Sequence, residues 1–181
     1  HPQPLCDSSD RAARSLNDIF QLVPRNINTP YDMKKVIKAT VDNAEFLELQ
    51  PAYGSNMITG LARLAGHAVA IVANQPAVMA GTINRPAAAK AARFLENIKH
   101  FHLPVIFLAD NPGVLPGKQS ERDGTLLAAA RMYAAQANLN SAKLHITLRK
   151  AFGFGSSIMA MNPFDRQTLT LAFPGISLGG I

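Results

Sequence analysis

The 181-residue chain has no tryptophan, three tyrosines and a single cysteine. The lone Cys6 excludes an intramolecular disulfide framework and any zinc site built on cysteines. Histidine is scarce too. His1, His67, His100, His102 and His145 show no His-x-x-Glu-His-type spacing, so no metal is expected. Long apolar runs are missing. The longest, Ala68–Ala73, is the size of a strand and far short of the ~20 residues of a membrane-spanning helix, so no membrane partner is expected. Charge of one sign is only mildly in excess, with 18 Lys and Arg against 12 Asp and Glu, a net +6. Residues 1–30 hold three cations and three anions, residues 31–100 eight and five, and residues 101–181 seven and four. The longest basic pairs are Lys34-Lys35 and Arg149-Lys150, and few aromatics are available to stack on bases. Nucleic acid is therefore not an expected partner.

What is present is a globular composition, 48% hydrophobic and 17% charged, over a length that suits one domain. Residues 1–30 read as a linker, with Pro2, Pro4, Pro24 and Pro30 around one apolar patch at Ile19–Val23. Asp10 is a candidate cap for a short helix running to about Gln21. The chain opens at His1–Pro2 without a charged-then-apolar leader; no signal peptide is expected, and a fragment of a longer protein is. From Tyr31 the chain becomes organised. A short helix is predicted at Tyr31–Ile37, a strand within Asp42–Gln50, and two strands, Met57–Leu64 and Ala68–Ala73, joined by a Gly66-His67 turn. Pro86 stands where a first helical position is expected, and Ala91, Phe94, Leu95 and Ile98 follow at helical spacing up to His100. Val105–Ala109 is apolar throughout, as a strand buried on both faces requires. A helix over Glu121–Gln136, strands at Leu144–Leu148 and Thr168–Phe173, and a short helix at Ser156–Met161 complete the pattern. Strands alternating with helices predict an α/β fold with a mostly parallel sheet.

In such folds ligands gather beyond the carboxyl ends of the strands. Three glycine-containing loops qualify: Asn74–Arg85, Asp110–Gly117 and Phe152–Ser157. A glycine turn leading into a helix leaves the first helical N–H groups free for an anion or a developing oxyanion. It also serves simply to reverse the chain. A dinucleotide fingerprint fails, because Gly153-x-Gly155 would need a third glycine where Ile158 stands. No Gly-x-Ser-x-Gly elbow occurs, since Gly155-Ser156-Ser157 lacks the second glycine. Asp110, at the end of a buried strand, suits a catalytic or binding role and equally the role of holding the Asn111–Gly113 turn.

Five segments taken in order are more specific: Tyr31-Asp32-Met33-Lys34-Lys35-Val36-Ile37, Asn74-Gln75-Pro76, Ala88–Phe94, Asp110-Asn111-Pro112-Gly113-Val114-Leu115-Pro116-Gly117 and Arg149-Lys150-Ala151-Phe152-Gly153. Together, from Tyr31 to Ile181, they resemble the C-terminal half of the carboxyltransferase subunit of biotin-dependent acyl-CoA carboxylases, of the propionyl-CoA carboxylase β type. The resemblance implies a crotonase-like ββα-spiral fold. It also implies transfer of a carboxyl group from carboxybiotin to the α-carbon of an acyl-CoA. On this reading residues 1–30 link to a missing N-terminal half, and residues 31–181 form the biotin-side domain, truncated at its end.

The resemblance further implies biotin carried on a partner protein or domain, a coenzyme A thioester as substrate, and no metal in this chain. The partners it implies are the N-terminal half, a biotin carboxylase and biotin carrier subunit, and further copies, as a hexamer when full length; a cytoplasmic location is expected. By position, the N–H groups of Phe154 and Gly155 would form the oxyanion hole, and Asn74, Gln75, Pro76, Asp110, Pro112, Gly113, Gly117 and Gly153 would shape the biotin pocket. A Gly155→Val change is expected to damage that hole and leave folding largely intact. Family members commonly read Tyr-Gly-Gly-Ala where this chain has Phe152-Gly153-Phe154-Gly155, and Arg-His where it has Leu127-Ala128. Two alternatives accompany the main reading: the carboxyltransferase of a biotin-dependent decarboxylase, and a non-catalytic assembly paralogue of the same fold. A hydratase or isomerase is disfavoured, since no glycine-loop carboxylate pair is evident.

Overall fold

The computed structural model describes Leu16, residues 19–160 and residues 168–179. The expected cap Asp10 and the end of the helix expected to reach Met161 lie outside the described residues. Helix α1 (Ile19–Leu22) is followed by α2 (Met33–Thr40), which begins where Asp32 accepts a hydrogen bond from the Lys34 N–H at 3.0 Å. Strands β1 (Phe46–Leu49), β2 (Met57–Leu64) and β3 (His67–Asn74) form an antiparallel meander. Helix α3 (Arg85–Ile98) then leads to β4 (Val105–Asn111). Helices α4 (Lys118–Arg122) and α5 (Thr125–Ala137) lead to β5 (Lys143–Phe152), α6 (Gly153–Met159), β6 (Thr168–Ala172) and β7 (Ser177–Gly179).

These strands form one sheet in the order β1-β2-β3-β4-β5-β6, with β7 pairing the far end of β5. The pairs from β3 to β6, and β5 with β7, are parallel. The predicted α/β class holds. Alternation along each strand builds two cores. Ala70, Val72, Val105, Phe107 and Ala109 face α3, α5 and α6. Val69, Ile71, Ala73 and Leu108 face Ile19, Val36 and Ile37 of α1 and α2. Val105–Ala109 supplies both layers, which is why it carries no polar residue.

Helix α3 starts at Asn84, whose side chain accepts from the Ala87 N–H at 3.1 Å, with Pro86 in the first turn. Its alanines leave little bulk against the sheet and α5, and Lys90 lies 1% exposed among them, donating to the Met57 carbonyl at 2.8 Å. Burial pushes the Lys90 pKa down.

Local differences from the sequence reading have physical causes. The β2–β3 turn is Ala65-Gly66 rather than Gly66-His67, because Leu64 pairs with His67. Both turn residues take positive φ (52° and 78°), the requirement of a two-residue turn with glycine second. Asp42 supports it, accepting from the Ala65 and Gly66 N–H groups at 3.0 and 2.7 Å. The helix expected over Glu121–Gln136 is two helices, broken at Gly124 with φ 78°. Strand β5 is twice the expected length because its far half pairs with β7.

Candidate active site

β3, β4 and β5 run parallel, so Asn74, Asp110-Asn111 and Phe152 reach the same edge of the sheet. The loops beyond them are joined: the Ile83 N–H donates to the Gly113 carbonyl at 3.0 Å, and the Leu115 N–H to the Ile83 carbonyl at 2.9 Å. Asn74 is fully buried and stitches the strand ends. Its Oδ1 accepts from the Asp110 N–H and the Asn111 Nδ2, each at 3.1 Å, and its Nδ2 donates to the Gly81 carbonyl at 3.2 Å. Gly81 lies directly on the Asp110 carbonyl, where a β-carbon has no room.

Asp110 does not hold the turn that follows it. Asn111 does, its Oδ1 accepting from the Gly113 N–H at 3.0 Å. Asp110 instead is fully buried in an ionic cluster. Its Oδ2 accepts from Arg149 Nε at 2.6 Å and from the Tyr31 hydroxyl at 2.8 Å, while Oδ1 has no donor among the described residues. A register shift between β4 and β5 makes this possible. Ala109 pairs with Thr147 and Asn111 with Ala151, so Asp110 alone faces the stretch Leu148–Lys150. The Arg149 guanidinium lies 4.6 Å from the centre of the Tyr31 ring. Burial pushes the Asp110 carboxyl up, against the hydrogen bonds from Arg149 and Tyr31. Burial, reinforced by the Asp110 carboxylate, pushes the Tyr31 hydroxyl far above its ordinary range.

Helix α6 opens at Gly153 (φ 52°), which turns the chain out of β5. Phe152 precedes it and its side chain offers no cap to the first-turn N–H groups, those of Phe154 and Gly155 among them. Gly155 is buried, and a β-carbon on it would strike Asn111 Oδ1 and come within 2.8 Å of the Gly113 Cα. The expectation that Gly155→Val leaves folding largely intact is therefore wrong: this glycine sets the spacing between α6 and the Asn111–Gly113 turn. The Phe154 ring is half-buried and packs against α5, its centroid 6.1 Å from that of Tyr133.

The other expected pocket residues divide. Gln75 anchors α2: its Oε1 accepts from the Met33 N–H at 3.0 Å and its Nε2 donates to Asp32 at 2.7 Å. Pro76 is buried beside it, Gly113 is buried under Phe152, and Pro112 and Gly117 are exposed. Tyr31, Arg149 and Asn111 entered the sequence reading only as members of motifs or turns. Their signal was weak: an arginine following a run of alternating apolar strand residues reads as a strand end, whereas β5 continues through it.

The chain matches the carboxyl transferase domain family over residues 1–175. It is 42% identical over 158 residues to the methylmalonyl-CoA decarboxylase subunit alpha of Veillonella parvula, covering 87% of this chain and 31% of that protein. It is 38% identical over 159 residues to the propionyl-CoA carboxylase beta chain of Cereibacter sphaeroides, covering 88% of this chain and 31% of that one. The chain thus spans about a third of the length of such relatives. A crystal structure of transcarboxylase 12S, described as a hexamer assembly, superposes with a TM-score of 0.83 at 33% identity, over 98% of this chain and 33% of that one. A single-chain, multi-domain long-chain acyl-CoA carboxylase superposes with a TM-score of 0.83 at 36% identity, over 88% of this chain and 16% of that one. The α/β fold, with its meander and parallel βα units, is accordingly the crotonase-like fold of these carboxyltransferase subunits. The chain belongs to the carboxyl transferase domain family.

Proposed function

We propose that this chain is the biotin-side half of an acyl-CoA carboxyltransferase subunit, acting in transfer of a carboxyl group between carboxybiotin and the α-carbon of an acyl-CoA. The observation that carries the reading is a glycine-built helix start beside a strand-end carboxylate that, among the described residues, is already engaged and not free to act as a base. Asp110, the carboxylate at the strand ends, is buried and held by Arg149 and Tyr31, so it is poorly placed to take a proton from a substrate. The work left to the protein is to stabilise negative charge with peptide N–H groups, which the first turn of α6 offers.

The donors assigned to the biotin ureido oxygen are the N–H groups of Phe154 and Gly155. Neutral amides suit an oxygen that gains charge during the reaction, because they need no proton bookkeeping of their own. Carboxybiotin, when bound, supplies the carboxyl group. Gly155 lets the start of α6 sit close against the Asn111–Gly113 turn, and Asn74 and Asn111 fix the loops on either side. The Phe154 ring, turned toward Tyr133, anchors the donor turn on α5.

This reading places an N-terminal carboxyltransferase half before residue 31, with residues 1–30 as the connection. It includes a biotin carboxylase and a biotin carrier as partners, a hexameric assembly in the manner of the transcarboxylase 12S relative, and a cytoplasmic location. Carboxyl transfer within a decarboxylase complex is the second reading, favoured by the 42% identity to a methylmalonyl-CoA decarboxylase subunit. Both use the same site; partners set the direction. The test is to exchange the Phe154 N–H for an ester oxygen in the full-length subunit, which removes one donor and adds no bulk. Transfer should fall about 10²–10³-fold, the usual loss for one oxyanion donor. An unchanged rate would remove Phe154 from the site.

A further inference from the structure

Arg149 makes four hydrogen bonds and lies over the Tyr31 ring, and carboxyl transfer as outlined above gives it no part. It is 5% exposed. Besides its 2.6 Å bond to Asp110, its Nη1 donates to the carbonyls of Asn26 and Thr29, each at 2.8 Å, and of Pro24 at 3.4 Å. The next residue repeats the pattern: Lys150 is 6% exposed and donates to the Ile27 carbonyl at 2.9 Å. Two buried cations thus collect four carbonyls from residues 24–29, and Tyr31, at the end of that stretch, closes the cluster on Asp110.

A fold rarely needs such an arrangement for stability. Taking charges out of water costs several kcal/mol per ion, and an apolar cluster of the same volume often does as well. What the cluster supplies is placement. Asp110 is covalently next to Asn111, and Asn111 orients Gly113 and lies against Gly155. Asn74 holds the Asp110 N–H and the Asn111 amide on one oxygen, so a single side chain braces both residues. Directed bonds therefore run from residues 24–31 through Arg149 and Asp110, and along the chain to Asn111, as far as the turn at 111–113, against which the start of α6 packs closely.

We propose that Arg149, acting through Asp110, is a positioning residue that makes the geometry of the 111–113 turn and the α6 start depend on the docking of residues 24–31. The stretch expected to be a passive linker is then a part of the site's support. The inference rests on the carboxyltransferase reading only for its kinetic consequence; the structural coupling stands apart from it.

The test uses the full-length, assembled subunit with Arg149→Lys and, separately, Tyr31→Phe. Lysine keeps the charge and loses the fork; phenylalanine keeps the ring and loses the hydroxyl that meets Asp110. Amide hydrogen exchange should accelerate on the order of tenfold at residues 24–31 and equally at 111–117 and 153–156, with α3 unchanged. Acceleration confined to residues 24–31 in both variants would overturn the coupling. Should Arg149→Lys fail to assemble, Tyr31→Phe decides by the same exchange pattern. Kinetically, Arg149→Lys should lower kcat for transfer about a hundredfold, the scale of a 1 Å misplacement, with acyl-CoA affinity within twofold of the parent. A kcat within twofold of the parent with the exchange pattern present would instead remove the 111–113 turn and the α6 start from the reacting site, and with that pattern absent it would overturn the coupling as well. A parent subunit without transfer activity would refute the functional reading and leave the exchange result to judge the coupling.

Discussion

Replacing Gly155 by alanine adds one methyl group at the tightest point of the site. The new β-carbon would meet Asn111 Oδ1 and lie 2.8 Å from the Gly113 Cα and 3.2 Å from its carbonyl carbon. None of these atoms yields easily. Gly113 presents backbone, and Asn111 is fully buried with its amide on Asn74 and its oxygen on the Gly113 N–H. Overpacking of this kind costs about 1–3 kcal/mol, and displacing Asn111 from a buried hydrogen bond adds about 1 kcal/mol. The sum is about 2–4 kcal/mol, read as a fall in the denaturation midpoint of the subunit at constant m-value. Transfer activity should fall with it, because the donor turn moves. A Gly155→Ala subunit that unfolds within about 0.5 kcal/mol of the parent, near the limit of such measurements, would refute the packing argument.

Two further outcomes follow from buried polar groups. The Tyr31 hydroxyl, held protonated by burial and by Asp110, has a folded pKa above its unfolded value near 10. Its contribution to stability is complete below that pH and is lost as pH rises above it, so alkaline unfolding should set in above about pH 10 and be blunted in Tyr31→Phe. Asp42→Ala removes the acceptor for the Ala65 and Gly66 N–H groups at the β2–β3 turn and should cost about 1–3 kcal/mol by denaturant titration.

The parts of the fold legible in the sequence were those set by periodicity. Val105–Ala109 fits a strand covered on both faces, and Ala91, Phe94, Leu95 and Ile98 recur at the spacing of one helix face. Positions set by tertiary partners were not legible. The β2–β3 turn lies one residue earlier than expected because Leu64 pairs with His67, and Asp42, more than twenty residues away in sequence, accepts from both turn amides. The helix expected over Glu121–Gln136 hid a break at Gly124, because a single glycine costs only about 1 kcal/mol in a helix and its left-handed φ of 78° is not written in the local sequence. In the site, the three glycine loops were found because ligand loops at strand ends need close backbone approach. The roles within them were not. The turn-holding role open to Asp110 falls to Asn111, and the shift in pairing that aims Arg149 at Asp110 leaves no mark in local sequence. Asn74 and Gln75, expected to shape a pocket, use their side chains as internal braces.

The biotin-side assignment of residues 31–181 predicts a reaction that can be followed with free biotin. The most direct measurement is transfer of a carboxyl group from methylmalonyl-CoA or malonyl-CoA to free biotin by the full-length subunit in its native assembly. Transfer that depends on biotin, and that falls about 10²–10³-fold when the Phe154 N–H is replaced by an ester oxygen, is the predicted result. A correctly assembled subunit that binds its neighbours and yet transfers nothing would contradict it, and would identify the chain as a non-catalytic member of the family.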